Sequence, residues 1–188
     1  KYYDLAENAG SEDWQILGNG VPKYFLNWNN NFRYKGLDLA VSMRGAFAFQ
    51  ILNYQKMFYG NPNIQYNMLN SAFDEIDIVD PRTGQKTGEK TTISDSQRYL
   101  SYYVENGDYW KVDNLTIGYT FNMADIKNIQ NLRVYASVFN VATFTGYTGL
   151  DPEVRMTYGS GGSIDPGTDE RDKYPTVRSF TFGVNMTF

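Results

Sequence analysis

The sequence predicts an all-β fold, a segment of an antiparallel transmembrane β-barrel with long connecting loops. Three observations predict this. Apolar and polar residues alternate in about five segments, each near the ~9–11 residues that a tilted membrane strand needs. Aromatic residues are 16% of the 188 residues, with 16 tyrosines and 12 phenylalanines. The connections between segments are alternately short and long, as in barrels with short turns on one side of the membrane and long loops on the other.

The first two segments form a predicted hairpin around a tight turn at Lys35-Gly36. The first apolar row is Tyr24, Leu26, Trp28, Phe32 and Tyr34, opposite Lys23, Asn27, Asn29, Asn31 and Arg33. The second segment sets Leu37, Leu39, Val41, Met43, Phe47 and Phe49 against Asp38, Ala40, Ser42 and Arg44. Asn30 interrupts the first row, so we expect a bulge or a register shift there.

Three more segments follow the hairpin. One places Leu115, Ile117, Tyr119 and Phe121 opposite Thr116, Gly118 and Thr120. The next places Leu132, Val134, Ala136 and Val138 opposite Arg133 and Ser137, although Tyr135 and Phe139 also fall on its polar face. The last, residues 178–188, alternates most cleanly, with its apolar row at Phe180, Phe182, Val184, Met186 and Phe188. The long connections are residues 50–108 and 145–176, and the short ones are the Lys35-Gly36 turn and residues 122–131.

Charged residues provide an independent check on these faces. Four of them lie opposite the apolar rows: Arg33, Asp38, Arg44 and Arg133. This is expected of a barrel, because an arginine facing lipid at the midplane would cost ~2–4 kcal/mol. Three others break the parity: Lys111, Asp113 and Arg178. We place these at strand ends near the membrane interface, where that cost falls toward zero.

Composition excludes several classes of function. The chain has no cysteine and no histidine, which removes disulfides, thiolate metal sites and the usual catalytic base. A net charge of −4 argues against nucleic acid as a partner. No strand places two acids on one face, as a paired-carboxylate glycosidase would need, so we expect no enzymatic activity. The sequence begins at Lys1 without a signal peptide, and we interpret it as a piece of a longer protein.

Two other functional classes remain open at this point. Alternating strands also build soluble β-sandwiches, and a carbohydrate-binding module with exposed tyrosines would share this composition. A barrel that acts only as a passive pore or an adhesin would share it too. Long strands, inner faces rich in Asn, Thr, Ser and Gly, and aromatic residues near strand ends favour the membrane barrel.

Several strings resemble the SusC-like family of TonB-dependent outer-membrane transporters, the SusC/RagA family. They are YWKVDNLTIGYTF at 109–121, LRVYASVFN at 132–140, TFTGYTGLDPEV at 143–154 and YPTVR at 174–178, which leads into FTFGVNMTF at 180–188. Upstream, GNGVPKY at 18–24 and FRYKGLDL at 32–39 are also similar to family segments. They occur in the family's order over most of the chain. Trp110-Lys111 and Val138-Phe139 depart from the family pattern.

The resemblance implies that residues 1–188 are the C-terminal part of a barrel of ~22 strands in a Gram-negative outer membrane, with the C-terminus in the periplasm. It implies import of an oligosaccharide or a peptide, powered by the TonB complex through an N-terminal plug. A SusD-like surface lipoprotein is the implied partner. The plug and the remaining strands lie outside this chain. Because an open sheet would leave unpaired edges in lipid, we expect the first and last strands to pair beyond it.

Two groups of residues are candidates for function. The apolar row of the last strand, with its terminal aromatic, is predicted to be the barrel-assembly signal: Phe180, Phe182, Val184, Met186 and Phe188. Aromatic side chains in or beside the long loops could stack on a ligand, anchor the aromatic girdle or contact the lipoprotein: Tyr102, Tyr103, Tyr109, Trp110, Tyr147 and Tyr158. For most of them we favour the girdle and lipoprotein roles.

The second long loop is rich in acids: Asp151, Glu153, Asp165, Asp169, Glu170 and Asp172. They lack regular calcium-ligand spacing, so we predict a solvated loop and no cofactor. Asp151-Pro-Glu153 is predicted to form a fixed turn, because a residue before proline is conformationally restricted.

Overall fold

The computed structural model describes residues 16–80, 82–93, 100–123, 129–156, 165–170 and 174–188. Its one α-helix is α1, Tyr54–Tyr59, and short 3₁₀ turns lie at Asn70–Phe73 and Ser101–Tyr103. In this described part of the chain, no helix has the length and apolar character needed to cross a membrane. The strands are β1 Tyr24–Tyr34, β2 Leu37–Phe47, β3 Gln50–Asn53, β4 Ile76–Val79, β5 Lys86–Thr91, β6 Val104–Asn106, β7 Tyr109–Asn122, β8 Asn131–Thr145, β9 Arg155–Met156, β10 Asp165–Pro166, β11 Thr168–Asp169 and β12 Ser179–Thr187.

The five long strands form one antiparallel sheet in the order β1-β2-β7-β8-β12. Each has 9 to 15 residues, long enough to cross the hydrocarbon layer at a tilt. The predicted all-β barrel segment and its five strands are therefore confirmed. β1 and β12 form the two edges of the sheet.

The strand register brings the predicted apolar rows onto one face, which we call the outer face. One cross-strand layer contains Phe32, Leu39, Ile117, Ala136 and Phe182, and the next contains Tyr34, Leu37, Tyr119, Val134 and Val184. Many of these side chains are exposed, and Phe182 retains 80% of its accessible surface. A contiguous apolar face of this extent is unusual on a water-soluble monomer and suits contact with lipid.

The inner face is polar. One layer crosses the sheet through Asn31, Ala40, Thr116, Ser137 and Thr181. The hydroxyls of Thr116 and Ser137 lie 2.7 Å apart and share a hydrogen bond. Tyr135 and Phe139 of β8, which the sequence places on the polar face of that strand, also lie on this inner side.

A β-bulge at Asp113 explains why Lys111 and Asp113 break the alternation of β7. Val112 and Asn114 pair with consecutive residues of β2, so Asp113 is an extra residue. The register with β8 breaks at the same point. One extra residue exchanges the two faces of the strand. Lys111 is therefore opposite Arg44 on the inner face, and our explanation by position at a strand end was wrong for Lys111.

Two other sequence expectations are also wrong. The β1–β2 register runs without interruption past Asn30, which stays in the outer row opposite Val41, so there is no bulge at Asn30. Phe49 does not continue the outer row of β2. Ala48 has a φ of +61°, which turns the chain, and Phe49 is buried beneath the loops.

The short connections lie at the end of the sheet opposite the long loops. Lys35 and Gly36 both have positive φ, 46° and 86°, as the predicted tight hairpin turn requires. Near the second short connection, the Gln130 amide donates to the Thr187 carbonyl at 2.8 Å. The chain terminus at Phe188 therefore lies at this same end.

The outer face can be tested on β12, where Phe182 and Thr181 are neighbours on opposite faces. We expect Phe182→Arg in the intact membrane protein to lower the free energy of unfolding by about 2–4 kcal/mol, because it places a charge in lipid. Thr181→Arg is the matched control and should change it by about 0.5 kcal/mol or less. Reversible unfolding in lipid vesicles measures both, and equal losses would contradict the assigned faces.

Candidate functional site

The two long connections pack against each other at one end of the sheet; we call their described residues, within 48–108 and 146–178, the loop assembly. β3 pairs antiparallel with β6 and parallel with β11, so both connections contribute to one three-stranded sheet. The Leu52 amide donates to the Gly167 carbonyl at 2.7 Å, next to this parallel pairing. The prediction of a solvated second loop is therefore wrong, because part of this loop pairs with β3.

An apolar cluster joins the loop assembly to the inner face of the barrel wall. Its members are Ala46, Phe49, Ile51, Tyr109 and Tyr147, all buried, with Val154 packed against them. Phe49 and Tyr109 meet edge to face, with ring centroids 6.4 Å apart. Ala46 and Tyr109 belong to the ends of β2 and β7, so the cluster continues the wall into the loops.

Lys111 is a deeply buried charge in this region, with 2% of its side chain exposed. Its Nζ lies 2.6 Å from Glu153 Oε2 and 3.5 Å from Asp151 Oδ2. Thr176 also donates a hydrogen bond to Asp151. A buried ammonium must be compensated by carboxylates, and here the second loop supplies both of them.

Arg44 and Tyr109 extend this network. The Arg44 guanidinium contacts Asp113 Oδ2 and Glu153 Oε2, both at 2.9 Å, and Tyr109 Oη donates to Glu153 Oε1 at 3.1 Å. Glu153 thus has three partners on the barrel wall. The Glu153 amide donates to Asp151 Oδ1 at 2.9 Å, which fixes the predicted turn around Pro152.

A second polar centre surrounds Glu105 on β6. Its carboxylate accepts hydrogen bonds from the Thr148 amide at 2.8 Å and from Asn53 Nδ2 at 3.3 Å, and lies 3.2 Å from Lys56 Nζ. Burial alone would raise the pKa of Glu105, but the hydrogen bonds from Thr148 and the charge of Lys56 outweigh it, so the pKa lies below its usual value. Asn53 also caps α1 through the Lys56 amide.

Tyr147 makes the third polar link. Its hydroxyl donates to Asp169 Oδ2 at 2.5 Å, and both side chains are buried. Burial, the hydrogen bond and the negative charge of Asp169 raise the pKa of Tyr147, so the phenol stays neutral. The acids Asp151, Glu153 and Asp169 therefore bind side chains of this chain. In the described residues, no cluster of three His, Cys, Asp or Glu side chains could hold a metal ion.

The predicted aromatic candidates occupy different environments. Tyr103 and Tyr147 are buried, with 2% and 5% exposure. Tyr102 is half-buried, meets Tyr103 edge to face and lies under Lys56 Nζ, 4.2 Å from the ring centroid. Trp110 stacks on Phe47 on the outer face, at a centroid distance of 6.3 Å. Tyr158 lies outside the described residues. Ligand contact by any of the five stays a prediction.

Two features of the loop assembly were not predicted from the sequence. Three aromatic rings are strongly exposed there, Tyr66 and Phe73 at 68% each and Tyr174 at 81%, and no alternation marks them in the sequence. The charged network around Lys111 was also missed, although the parity break at Lys111 and Asp113 was its signal. The carboxylates that pair with Lys111 belong to the Asp151-Pro-Glu153 turn.

Lys111 can be tested against an exposed lysine. We expect Lys111→Met to lower the free energy of unfolding by about 3 kcal/mol, because it removes the buried ammonium that compensates the charge of Asp151 and, together with Arg44, that of Glu153. Lys86→Met, which removes an ion pair with Asp77 from an exposed hairpin, should have a much smaller effect, because water and salt screen an exposed pair. Denaturant unfolding of the intact protein compares the two variants. Equal effects would contradict the assigned role of Lys111.

Glu105 should make the stability of the loop assembly depend on acid pH. A carboxylate whose pKa is depressed in the folded state stabilises above its unfolded value, near 4.5, and that stability is lost as the pH falls further. Thermal unfolding of the intact protein between about pH 6 and pH 3 should therefore lose less stability in Glu105→Gln than in the unsubstituted protein. Glu75→Gln, at an exposed carboxylate, is the control, and a Glu105→Gln profile parallel to it would count against this role.

The whole chain is similar to proteins of one kind, although no family model matches it. TonB-dependent receptor P3 of Formosa agariphila is 32% identical over 193 residues, which cover 100% of this chain and 19% of that receptor. TonB-dependent receptor SusC of Bacteroides thetaiotaomicron is 27% identical over 183 residues, 95% of this chain and 16% of that receptor. The chain thus spans about a fifth of the length of the curated relatives it matches.

The fold agrees with this similarity. A structure of the RagAB peptide importer in its closed-closed state superposes with a TM-score of 0.70 at 18% identity, covering 97% of this chain and 19% of that one. The open-open state gives a TM-score of 0.65 at 21% identity, over 89% and 17%. The chain is a segment of a SusC-like TonB-dependent receptor, and its five long strands are a partial β-barrel wall.

Proposed function

We propose that this chain is the C-terminal part of the barrel of an outer-membrane receptor that imports an oligosaccharide or a peptide with energy from the TonB complex. The observation that carries the proposal is the division of one sheet into an apolar outer face and a polar inner face. Such a sheet suits a wall between lipid and a water-filled lumen. Similarity over the whole chain to TonB-dependent receptors supports active import.

The edges of the sheet support the proposal that the barrel continues beyond residues 1–188. Among the described residues, β1 and β12 each pair on one side only, and unpaired backbone groups in lipid cost several kcal/mol each. β1 would pair with a preceding strand and β12 with the first strand of the barrel. The plug and the other strands, ~22 in all, would belong to the rest of the receptor.

The orientation follows from the lengths of the connections. Short turns are typical of the periplasmic side of a barrel and long loops of the outside. Phe188 would then lie in the periplasm, and the loop assembly would face the exterior. A SusD-like surface lipoprotein is the partner we propose for that side. The structures that share this fold are of an importer of two named components, RagAB, which supports a two-component transporter.

A soluble carbohydrate-binding β-sandwich fits the structure poorly. Such a domain would cover the apolar face with a second sheet. The smaller sheets of the described chain lie within the long connections, and the exposed rings of β12 remain open. A passive pore would share the wall, so the transport experiment must separate it from active import.

Five of the six aromatic candidates enter this proposal as ligand or lipoprotein contacts on the outer side: Tyr102, Tyr103, Trp110, Tyr147 and Tyr158. In the described arrangement, Trp110 is on the outer face beside Phe47 and suits the aromatic girdle. The buried rings of Tyr103 and Tyr147 would reach a ligand only after the loop assembly opens. The partly exposed ring of Tyr102 needs no such change.

Transport by the full-length receptor tests the proposal. Cells that express the receptor with its neighbouring lipoprotein should take up labelled oligosaccharides or peptides, and deletion of the receptor gene should abolish that uptake. Loss of TonB or addition of a protonophore should stop it as well, whereas a passive pore would continue to conduct. Uptake that persists without TonB would overturn active import and favour the pore.

The terminal strand is proposed to carry the barrel-assembly signal, formed by Phe180, Phe182, Val184, Met186 and Phe188. Deletion of Phe188 should lower the amount of receptor in the outer membrane, because the assembly machinery would lose the terminal aromatic of an alternating strand. Thr187→Ala, at the adjacent inner-face position, is the control. Quantitative immunoblots of outer-membrane fractions measure both. Unchanged levels after deletion of Phe188 would refute the assembly role.

A further inference from the structure

On the inner face, a belt of three side chains crosses four strands: Asp38 on β2, Arg133 and Tyr135 on β8, with β7 and β12 beneath them. Arg133 donates from Nε to Asp38 Oδ1 at 2.9 Å and from Nη2 to Asp38 Oδ2 at 2.5 Å. Its guanidinium carbon also lies 4.8 Å from the centroid of the Tyr135 ring. The three groups thus form a continuous chain of ion-pair and cation–π contacts.

Each half of the belt lies directly over a glycine. A Cβ at Gly118 of β7 would be 2.7 Å from both Arg133 Nη2 and Asp38 Oδ1. A Cβ at Gly183 of β12 would be 2.4 Å from Cζ and Oη of Tyr135. Such distances are too short for real Cβ contacts, so the belt can lie flat only because both positions lack a side chain.

The glycine under Tyr135 occupies a defined register position. Gly183 is the direct partner of Tyr135 in the β8–β12 pairing, between Val184 opposite Val134 and Phe182 opposite Ala136. A slip of β12 by two residues would keep every side chain on the same face of the sheet. The alternation of apolar residues would therefore not disfavour it. It would, however, bring Thr181 or Asn185 under the Tyr135 ring in place of Gly183.

We propose that the Tyr135 ring, seated on Gly183, fixes the register of β12 on β8. The outer row cannot reject a two-residue slip, because β12 repeats Phe, Phe, Val and Met at every second position. The inner face of β12 has one position without a side chain, Gly183, and its other residues there are Ser179, Thr181, Asn185 and Thr187. The Arg133 guanidinium lies over the Tyr135 ring and is itself held by Asp38 of β2, so the ring is connected to the rest of the wall.

Disulfide cross-linking can report the register directly, because this chain contains no cysteine of its own. In the full-length receptor, freed of any other cysteine, Asn131→Cys with Thr187→Cys joins direct partners in the observed register. Asn131→Cys with Asn185→Cys joins residues that become direct partners only after a slip of two. Heat-modifiable mobility in the same gels shows which material has inserted as a barrel.

We expect Gly183→Val to lower the native cross-link about tenfold and to raise the slipped one, because the new side chain overlaps the ring. Thr181→Val, on the same face of the same strand, is the matched control and should leave both unchanged. Tyr135→Ala should also yield the slipped product, and Tyr135→Phe should restore the native one, since it keeps the ring.

Two results would overturn the proposal. One is a native cross-link in Gly183→Val equal to that in Thr181→Val. The other is a general loss of inserted barrel in Gly183→Val and Tyr135→Ala with no slipped product in what remains, which would make both residues ordinary packing positions. Neither result depends on which nutrient the receptor imports.

Discussion

The register between neighbouring strands is the constraint on which the rest of this structure depends. Side chains alternate with a period of two, so a shift of one residue in any pair would exchange the lipid-facing and inner faces of a strand. The observed register keeps apolar residues together across all five strands. The same register gathers Asp38, Arg133 and Tyr135 on the inner side over Gly118 and Gly183.

The bulge at Asp113 shows how the wall departs from that rule where it meets the loop assembly. From Asn114 onward, β7 follows the simple alternation, and before Asp113 its two faces are exchanged. Tyr109 and Lys111 thereby move to the inner side, where Glu153 contacts both. Without the extra residue, Lys111 would face outward, and the acids of the second loop would lose its ammonium. A single irregular residue thus connects the barrel wall to the loop assembly.

The loop assembly has the character of a small folded unit and not of two independent loops. An apolar cluster holds its base, and three polar centres, at Lys111, Glu105 and Tyr147, join segments that are far apart in sequence. Breaking a buried charge or hydrogen bond of this kind is costly, because the remaining partner loses its compensation. A ligand or partner on this side would meet a surface that is already organised.

The sequence by itself determined the five strands, most of their outer rows, the first tight turn and the family, because alternation and short strings are local properties of the chain. The tertiary structure alone decided the bulge at Asp113, the burial of Phe49 and Tyr103, and the pairing of Lys111 with Glu153. Those contacts join residues tens of positions apart, and local periodicity says nothing about which distant segment supplies a partner. Asn30 shows the same limit, because a polar residue in an apolar row can stay in register when no neighbour forces it out.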